Sequence, residues 1–470
     1  MNQAAGWRKT FFAIYIGQAF SILSSSAVQF AIIWWITVNT GSVLAITVAA
    51  VAGLLPQALV GPFAGVWIDR FNRRTVMMLA DGVVALGSFL LFVMCFAGSP
   101  PLWLVYLILA VRSLGETFHK PALSAAIPQL VPREDLMKAG GLGQMVSSAC
   151  SIAGPMLGAL LMSVASLQLA MLVDIVGAVF AILILSRIRI PRPVSATGAS
   201  IRVFSDMRKG FAAIRQNKPL MRIFIPFFLT TIIFTPIGTM LPLMVKHYFG
   251  GGAWQSGLVQ TLFSVGMLLC AGVLGVVGGM KKQFRMISVS ITVLGVAALC
   301  GGLLPSTLFW AFCACVFVIG GAAMCFHIPF TTYVQKSVPE ENLGKVMSLM
   351  TSVLSFAAPV GMFISGPVAN AIGVSRWMTG AGVLIAITGV LAYGLTHEFD
   401  KERMTNEEDH HAVDGFCTGG APQSRGGGAV ARSLRRKDSG NSAGHADSGG
   451  GWHVGADGGC DVAKNGKEQA

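Results

Sequence analysis

Three ionisable side chains fall where such groups are expensive. Arg112, Glu116 and His119 lie in the apolar run 102–119 at i, i+4 and i+7, a spacing that sets all three on one face of a helix. An uncompensated arginine near the centre of a bilayer costs about 2.5–3.5 kcal/mol on insertion scales, so that face must look into a helix bundle or a watered cavity. Arg112 and Glu116 then make a pair in which burial and the guanidinium act on the carboxyl in opposite senses, which suits a group that binds and releases a proton. A permanently ionised structural pair is the alternative. Asp174, deep in the run 167–186, could carry a proton, attract a cationic amine or make an interhelical hydrogen bond. Asp81, about two turns into the run 75–97, needs a partner, for which Arg74 or an arginine of an adjacent helix is expected. His119 and His327 each precede a helix-kinking proline, Pro121 and Pro329, where an imidazole either gates or satisfies freed backbone groups.

Other chemistries lack their residues. Cysteines are scattered singly through the apolar runs, and Cys313 and Cys315, two apart, point to different faces, so neither a disulfide framework nor a metal site is implied. There is no His-Glu-x-x-His pair and no Gly-x4-Gly-Lys-[Ser/Thr] loop. The expectation is no metal, no cofactor and no direct use of ATP. A polytopic membrane enzyme and a transport-dead sensor remain as readings of another class.

The elements that hold these residues are apolar spans. Hydrophobic residues make up 54% of the 470-residue chain and charged residues only 12%, against roughly a quarter in soluble domains. Spans fall near 11–38, 43–68, 75–97, 102–119, 139–164, 167–186, 220–245, 254–279, 286–304, 307–334, 346–371 and 376–396. Lys and Arg crowd alternate connections: Arg70, Arg73 and Arg74 after the second span, Lys120, Arg133 and Lys138 after the fourth, Lys281, Lys282 and Arg285 after the eighth. The central connection holds Arg187, Arg189, Arg192, Arg202, Arg208 and Arg215, whereas the opposite connections offer Lys246 and Arg376. By the positive-inside rule both termini are cytoplasmic, and the net charge of +13 reports membrane orientation rather than nucleic-acid binding. Trp67, Trp103, Trp254, Trp310 and Trp377 lie near span ends, at headgroup level. The expected parts are a six-helix bundle over 1–186, a cytoplasmic loop over 187–219, a second six-helix bundle over 220–396 and a disordered Gly/Ser-rich tail over 397–470.

The halves repeat. A shift of 207 residues lays Val131-Pro132 on Val338-Pro339, Glu134 on Glu341, Leu136 on Leu343 and Lys138 on Lys345, and a shift of 208 lays His119 and Pro121 on His327 and Pro329. Parallel six-helix repeats about an axis along the membrane normal are the architecture of the major facilitator superfamily, whose substrate site lies at the midplane between the halves. The expected fold is therefore an all-α membrane protein of twelve transmembrane helices in two pseudo-symmetric bundles.

The stretch Gly61-Pro-Phe-Ala-Gly65-Val-Trp-Ile-Asp69-Arg70-Phe-Asn-Arg73-Arg74 resembles that superfamily's signature loop, with Asn72 in place of a glycine. Asn tolerates a left-handed backbone, so the turn is expected to survive the exchange. Gly61 and Gly65 give their helix a small-residue face for close approach by a neighbour. Asp69 can meet a helix amino terminus, and Arg73 or Arg74 a carboxylate across the cytoplasmic gap. The resemblance implies a latch between the halves in the outward-facing state. Gly154-Pro155-x-x-Gly158 resembles the Gly-Pro motif of antiporters, a bend expected to seat against the other half.

From Trp7 to about Thr396 the chain is similar in order and spacing to the drug:proton antiporter family that includes the macrolide efflux proteins. Gly17-Gln18-Ala19, Ala80-Asp81, Arg112-Ser113, Phe118-His119-x-Pro121-Ala122 and Arg215-Gln216-Asn217-Lys218 carry that likeness. It implies export of a small hydrophobic drug in exchange for protons by a monomer of the cell's cytoplasmic membrane, with Arg112 in the position of the superfamily's proton-coupling arginine. Exporters of siderophores and flippases of lysophospholipids look similar at this level. Candidate drug contacts are Gln29, Phe30, Phe227, Phe228 and Phe234. The topology has a direct test: a membrane-impermeant thiol reagent added outside should label a cysteine placed beside Trp254 and spare one in the central connection, and the reverse pattern would overturn the orientation.

Overall fold

Two residues separate the first two helices. Gly41, at φ 60°, ends α1 (Gln3–Thr40) in a left-handed turn, and Ser42 starts α2 (Val43–Arg70) by accepting at its hydroxyl a hydrogen bond of 3.3 Å from Ala45 N–H. The computed structural model describes residues 3–132, 135–188, 203–277 and 282–418; Arg133, Arg189, Arg192, Arg202, Lys281 and the tail from 419 onward lie outside the described residues. After α3 (Arg73–Ala97), α4 (Leu102–Leu130), α5 (Leu136–Val164) and α6 (Leu167–Arg187) comes a shorter helix, α7 (Val203–Gln216). The second half holds α8 (Lys218–Leu243), which continues as a π-helical turn over Met244–Tyr248, then α9 (Ala253–Val277), α10 (Gln283–Leu303), α11 (Phe309–Ser337), α12 (Glu340–Ile372) and α13 (Val374–Thr418). Residues 1–407 make one compact unit.

Eleven of these helices are long and apolar enough to cross a membrane. The twelfth span is α4, whose mean hydropathy is lowered by the residues that carry chemistry: Arg112, His119 and Thr117 are buried against neighbours, so its polar groups need not meet lipid. Outward-facing Leu79, Phe96, Phe363 and Leu391 present the hydrocarbon surface instead. The duplication read from the sequence recurs in the packing. In the first half α1 packs on α5, α2 on α4 and α3 on α4; in the second α8 packs on α12, α9 on α11 and α10 on α11. The halves meet through α2 with α12 and α5 with α9, two contacts that a pseudo-two-fold exchanges. The fold is that of twelve transmembrane helices in two pseudo-symmetric bundles.

Two boundaries differ from expectation. The connection 187–219 contains α7, where Met207, Phe211 and Ile214 recur at helical spacing; Ile214 is buried, and α7 packs on α12 and α8. The tail boundary at 397 falls inside α13, because residues 397–414 contain several strong helix formers and neither Gly nor Pro before Gly415.

The contact between the halves is uneven along its length. Near the end of the bundle that carries the α1–α2 and α8–α9 connections, here the far end, a Cβ on Gly366 would strike Thr47 and one on Gly257 would strike Ala159. Thr261 Oγ1 there donates to the Ile152 carbonyl at 3.4 Å. Toward the opposite, basic end, Gly61 of α2, Gly140 and Gly141 of α5 and Gly344 of α12 each have open space around them. The close glycine contacts between the halves thus lie at the far end. Gly257→Leu should wedge the seal open, and a cysteine replacing Thr47 should then react with a far-side thiol reagent several times faster than in the parent; equal rates would mean that the Gly257 contact does not hold the seal.

Candidate functional site

The polar residues of the first half gather in two layers inside the bundle of α1, α3, α4 and α6. In the layer nearer the far end, Arg112 of α4 forms an ion pair with Asp174 of α6, Nη1 to Oδ2 at 2.5 Å, and also donates to Ser88 Oγ of α3. Ser88 Oγ donates to the same Asp174 Oδ2 at 2.6 Å, and two α1 hydroxyls, Ser24 at 3.2 Å and Ser25 at 3.0 Å, donate to Oδ1. Asp174 is fully buried and Arg112 is 2% exposed. The carboxylate thus has an arginine and three hydroxyls, the satisfaction a charge in this environment requires. Small residues make the approach possible. Gly115 brings α4 against Ala80 and Val84 of α3, and Gly177, one turn from Asp174, leaves the room that Ser24 occupies.

The second layer lies seven residues away on both α3 and α4, about 10 Å toward the basic end. Asp81 accepts from Ser21 Oγ at 3.1 Å and from Gln18 Nε2 at 3.5 Å, and His119 Nε2 stands 3.5 Å from Asp81 Oδ1. All four side chains are buried. One residue ties the layers together, since Ser24 donates both to Asp174 and, at 3.1 Å, to the Ser21 carbonyl.

This geometry corrects several expectations. Glu116 is not the partner of Arg112: it pairs with Lys120 at 3.3 Å with 41% of its side chain exposed. The reason is helical phase, for i+4 overshoots a full turn by about 40° whereas i+7 falls short by about 20°, so Arg112 and His119 share the buried face and Glu116 lies at its edge. Asp81 pairs with His119, not with Arg74, whose Nη2 instead donates to the Ser186 carbonyl of α6 at 2.5 Å, a capping contact within its own half rather than a bridge across the gap. Arg73 is buried. Asn72 is extended, at φ −66°, and replaces the glycine as a helix cap: its Oδ1 accepts from Arg74 N–H at 3.0 Å. Gly61 has no neighbour within 4 Å of where a Cβ would sit, while the surroundings of Gly65, Asp69 and Arg70 lie outside the described residues.

In α5, Gly154 and Gly158 face Ser26 and Ala27 of α1 in the same half, whereas Pro155 and Ala159 take the Gly257 contact across the interface. Of the aromatic candidates, Phe30 is buried in a stack with Trp34, and Phe227 is buried on Phe330 with ring centroids 3.8 Å apart; both are packing residues. Phe228 stacks on Phe224 and Phe234 lies beside Phe263, all only partly covered, and Gln29 is exposed on the α1 face that carries Gln18 and Ser25. Among the described residues no group of His, Cys, Asp or Glu could hold a metal ion. Sequence reasoning missed Ser21, Ser24, Ser25, Gln18 and Ser88; the available signal was a polar stripe at three- and four-residue spacing in an apolar α1, and Ser88 seven residues after Asp81, as His119 is after Arg112.

Residues 14–362 match the Major Facilitator Superfamily. The chain belongs to that superfamily. Within it, the chain is 34% identical over 395 residues to macrolide efflux protein A of Streptococcus pyogenes, covering 83% of this chain and 97% of that one. It is 26% identical over 376 residues to the multidrug efflux pump Tap of Mycolicibacterium fortuitum, covering 76% and 89%. It is 22% identical over 424 residues to the enterobactin exporter EntS of Shigella boydii, covering 84% and 94%. Among solved structures, a bacterial homologue of the human lysosomal transporter Spinster, inward-facing and unoccupied, shares the fold at TM-score 0.65 and 13% identity, covering 84% of this chain and 98% of that one. The protein is a multi-pass membrane transporter of the major facilitator fold.

For this transporter the Arg112–Asp174 pair is a structural commitment as well as a candidate site. Arg112→Ala should destabilise the detergent-solubilised protein by about 3–5 kcal/mol by stranding a buried carboxylate, and Asp174→Ala by a similar amount. The double variant should lose less than the sum of the two in thermal unfolding; strict additivity would show that the two side chains do not interact.

Proposed function

We propose that this transporter exports hydrophobic drugs of the macrolide kind from the cytoplasm in exchange for protons, and that Asp174 is the carboxyl that takes the proton. The observation that carries the coupling is the burial of one ion pair, Arg112–Asp174, between helices of one bundle with its charge unshared by any second arginine among the described residues. The drug class rests on the relative with 34% identity along almost its whole length. The segregation of Lys and Arg supports placing the basic end in the cytoplasm; the reading takes the protein to act as a monomer in the cytoplasmic membrane. In this reading the far-end contacts at Gly257 and Gly366 seal the outside, as in a state that receives drug from inside.

In this reading a proton arriving on Asp174 cancels one charge of the pair. Arg112 loses its carboxylate partner, Ser88, Ser24 and Ser25 must rearrange their hydroxyls, and the balance between the two access states shifts. Gln29, Phe228 and Phe234 supply a partly open polar and aromatic wall for the drug, contributed by both halves. Glu116, beside Lys120, keeps a supporting role: a charged pair of this kind borders the aqueous opening rather than lipid. The latch residues Gly65, Asp69, Arg70 and Arg73 would engage when the basic end closes, the state opposite to this one.

Asp174→Asn mimics the protonated form permanently. In proteoliposomes it should retain exchange of a radiolabelled macrolide between the two sides and lose uphill transport driven by an imposed pH gradient. Full pH-driven uptake by this variant would place the proton elsewhere and refute the assignment, while failure of the parent protein to move any macrolide, with transport of a lysophospholipid instead, would favour a flippase.

A further inference from the structure

The second polar layer has no duty in the reading above, yet it holds an acid and an imidazole inside the membrane-spanning bundle. We infer that Asp81 and His119 form a second proton-binding station, through which the proton carried by Asp174 is delivered to the cytoplasm. The inference rests on the proposed coupling at Asp174 and adds to it the exit route.

Three features of the geometry support a route rather than a separate structural knot. First, the layers are in register: Ser88 to Asp81 on α3 and Arg112 to His119 on α4 both span seven residues, about 10 Å along the bundle. Asp81 and His119 are therefore the next titratable groups toward the basic end from Asp174. Second, α1 supplies hydroxyls and an amide to both acids, with Ser24 touching Asp174 and the Ser21 carbonyl while Ser21 touches Asp81. Third, buried polar atoms without a hydrogen-bond partner collect along this column: Gln18 Oε1, His119 Nε2, and Nε and Nη2 of Arg112. Buried polar groups in native proteins are ordinarily paired, by water where protein groups do not reach, so such a column suits a few internal waters.

The surroundings of Asp81 set its choice of proton partner. From α4 it faces His119 and, one layer away, Arg112, which is committed to Asp174; from α6 it faces Asp174; from α1 it meets the neutral groups of Gln18 and Ser21. Glu116 and Lys120 are occupied with each other at the edge of α4. Delivery then changes O–H and N–H bonds alone. The Asp174 carboxyl gives up its proton and regains the Arg112 ion pair, the Asp81 carboxylate accepts that proton, and His119 Nε2 takes it and releases it to water toward the basic end. The imidazole suits the last position because either of its ring nitrogens can carry a proton, so it can take one at Nε2 and later give it up.

The experiment uses the full chain in proteoliposomes, with a radiolabelled macrolide and an internal pH dye. His119→Gln and Asp81→Asn should retain macrolide exchange at equal pH, slow pH-driven transport and the accompanying proton release by about tenfold or more, and flatten the pH profile of the driven rate. Asp81→Glu, which keeps a titrating carboxyl, should restore most of the driven rate, and serves if Asp81→Asn fails to insert. Parental driven rates and pH profile in both His119→Gln and Asp81→Asn, with Asp174→Asn uncoupled, would overturn the second station while leaving Asp174 in place; coupled transport by Asp174→Asn would instead remove the reading on which it stands.

Discussion

A buried charge that must not meet lipid organises the first half of this molecule. Arg112 is affordable only because Asp174 reaches it from another helix, and that contact fixes the distance between α4 and α6 through a shared α3, whose Ser88 touches both. Around this point the packing choices fall into order. Glycines at 115 and 177 bring backbones close enough for short side chains to complete the shell, and α1 contributes hydroxyls instead of the large apolar residues it presents elsewhere. Among the described residues the second half has no buried charged side chain. Its corresponding core is aromatic, with Phe227, Phe326 and Phe330 stacked together beside His327. A duplicated scaffold has thus acquired one half built around a buried ion pair and one built around an aromatic cluster.

The interface between the halves obeys a different rule. It contains no ion pair among the described residues, and at its closed end it relies on small residues: Gly366 against Thr47, Gly257 against Ala159, and the bend at Pro155. Close backbone approach without charged locks gives a seal that is tight when formed and has little to break when it opens. The motif read as a hinge therefore divides its labour. Gly154 and Gly158 fasten α5 to α1 within one half, which leaves Pro155 and Ala159 as the surface that moves against α9.

The spans, the duplication and the superfamily were legible because they rest on length, hydropathy and repeated spacing, which are properties of a sequence. Deep acids at 81 and 174 and the arginine at 112 were legible as costly for the same reason. Their pairing was not, because it depends on which helices neighbour one another and on helical phase finer than i+4. Glu116 illustrates this: four residues from Arg112 it looked like a partner, yet the residue that completes the pair lies 62 positions away on α6. The serines of α1 were silent for another reason. A hydroxyl in an apolar helix most often bonds its own backbone, as Thr37, Thr40 and Thr47 do here, so the spacing of Ser21 and Ser24 marks a polar stripe without saying that they bond acids on other helices.

Asn72 shows how a motif can depart from its pattern without losing its place. The pattern's glycine suggested a left-handed turn, and asparagine was expected to imitate it. The chain instead takes an extended residue at that point and uses the amide oxygen to cap α3, which frees Arg74 to cap the end of α6. Asn72 caps α3 locally, while the Arg74 contact ties α3 to α6 at the basic end. That contact braces the first bundle within its own half, and in the proposed mechanism such bracing is what alternating access needs: a charge change at Asp174 would tilt one half against the other only if the half did not yield internally first.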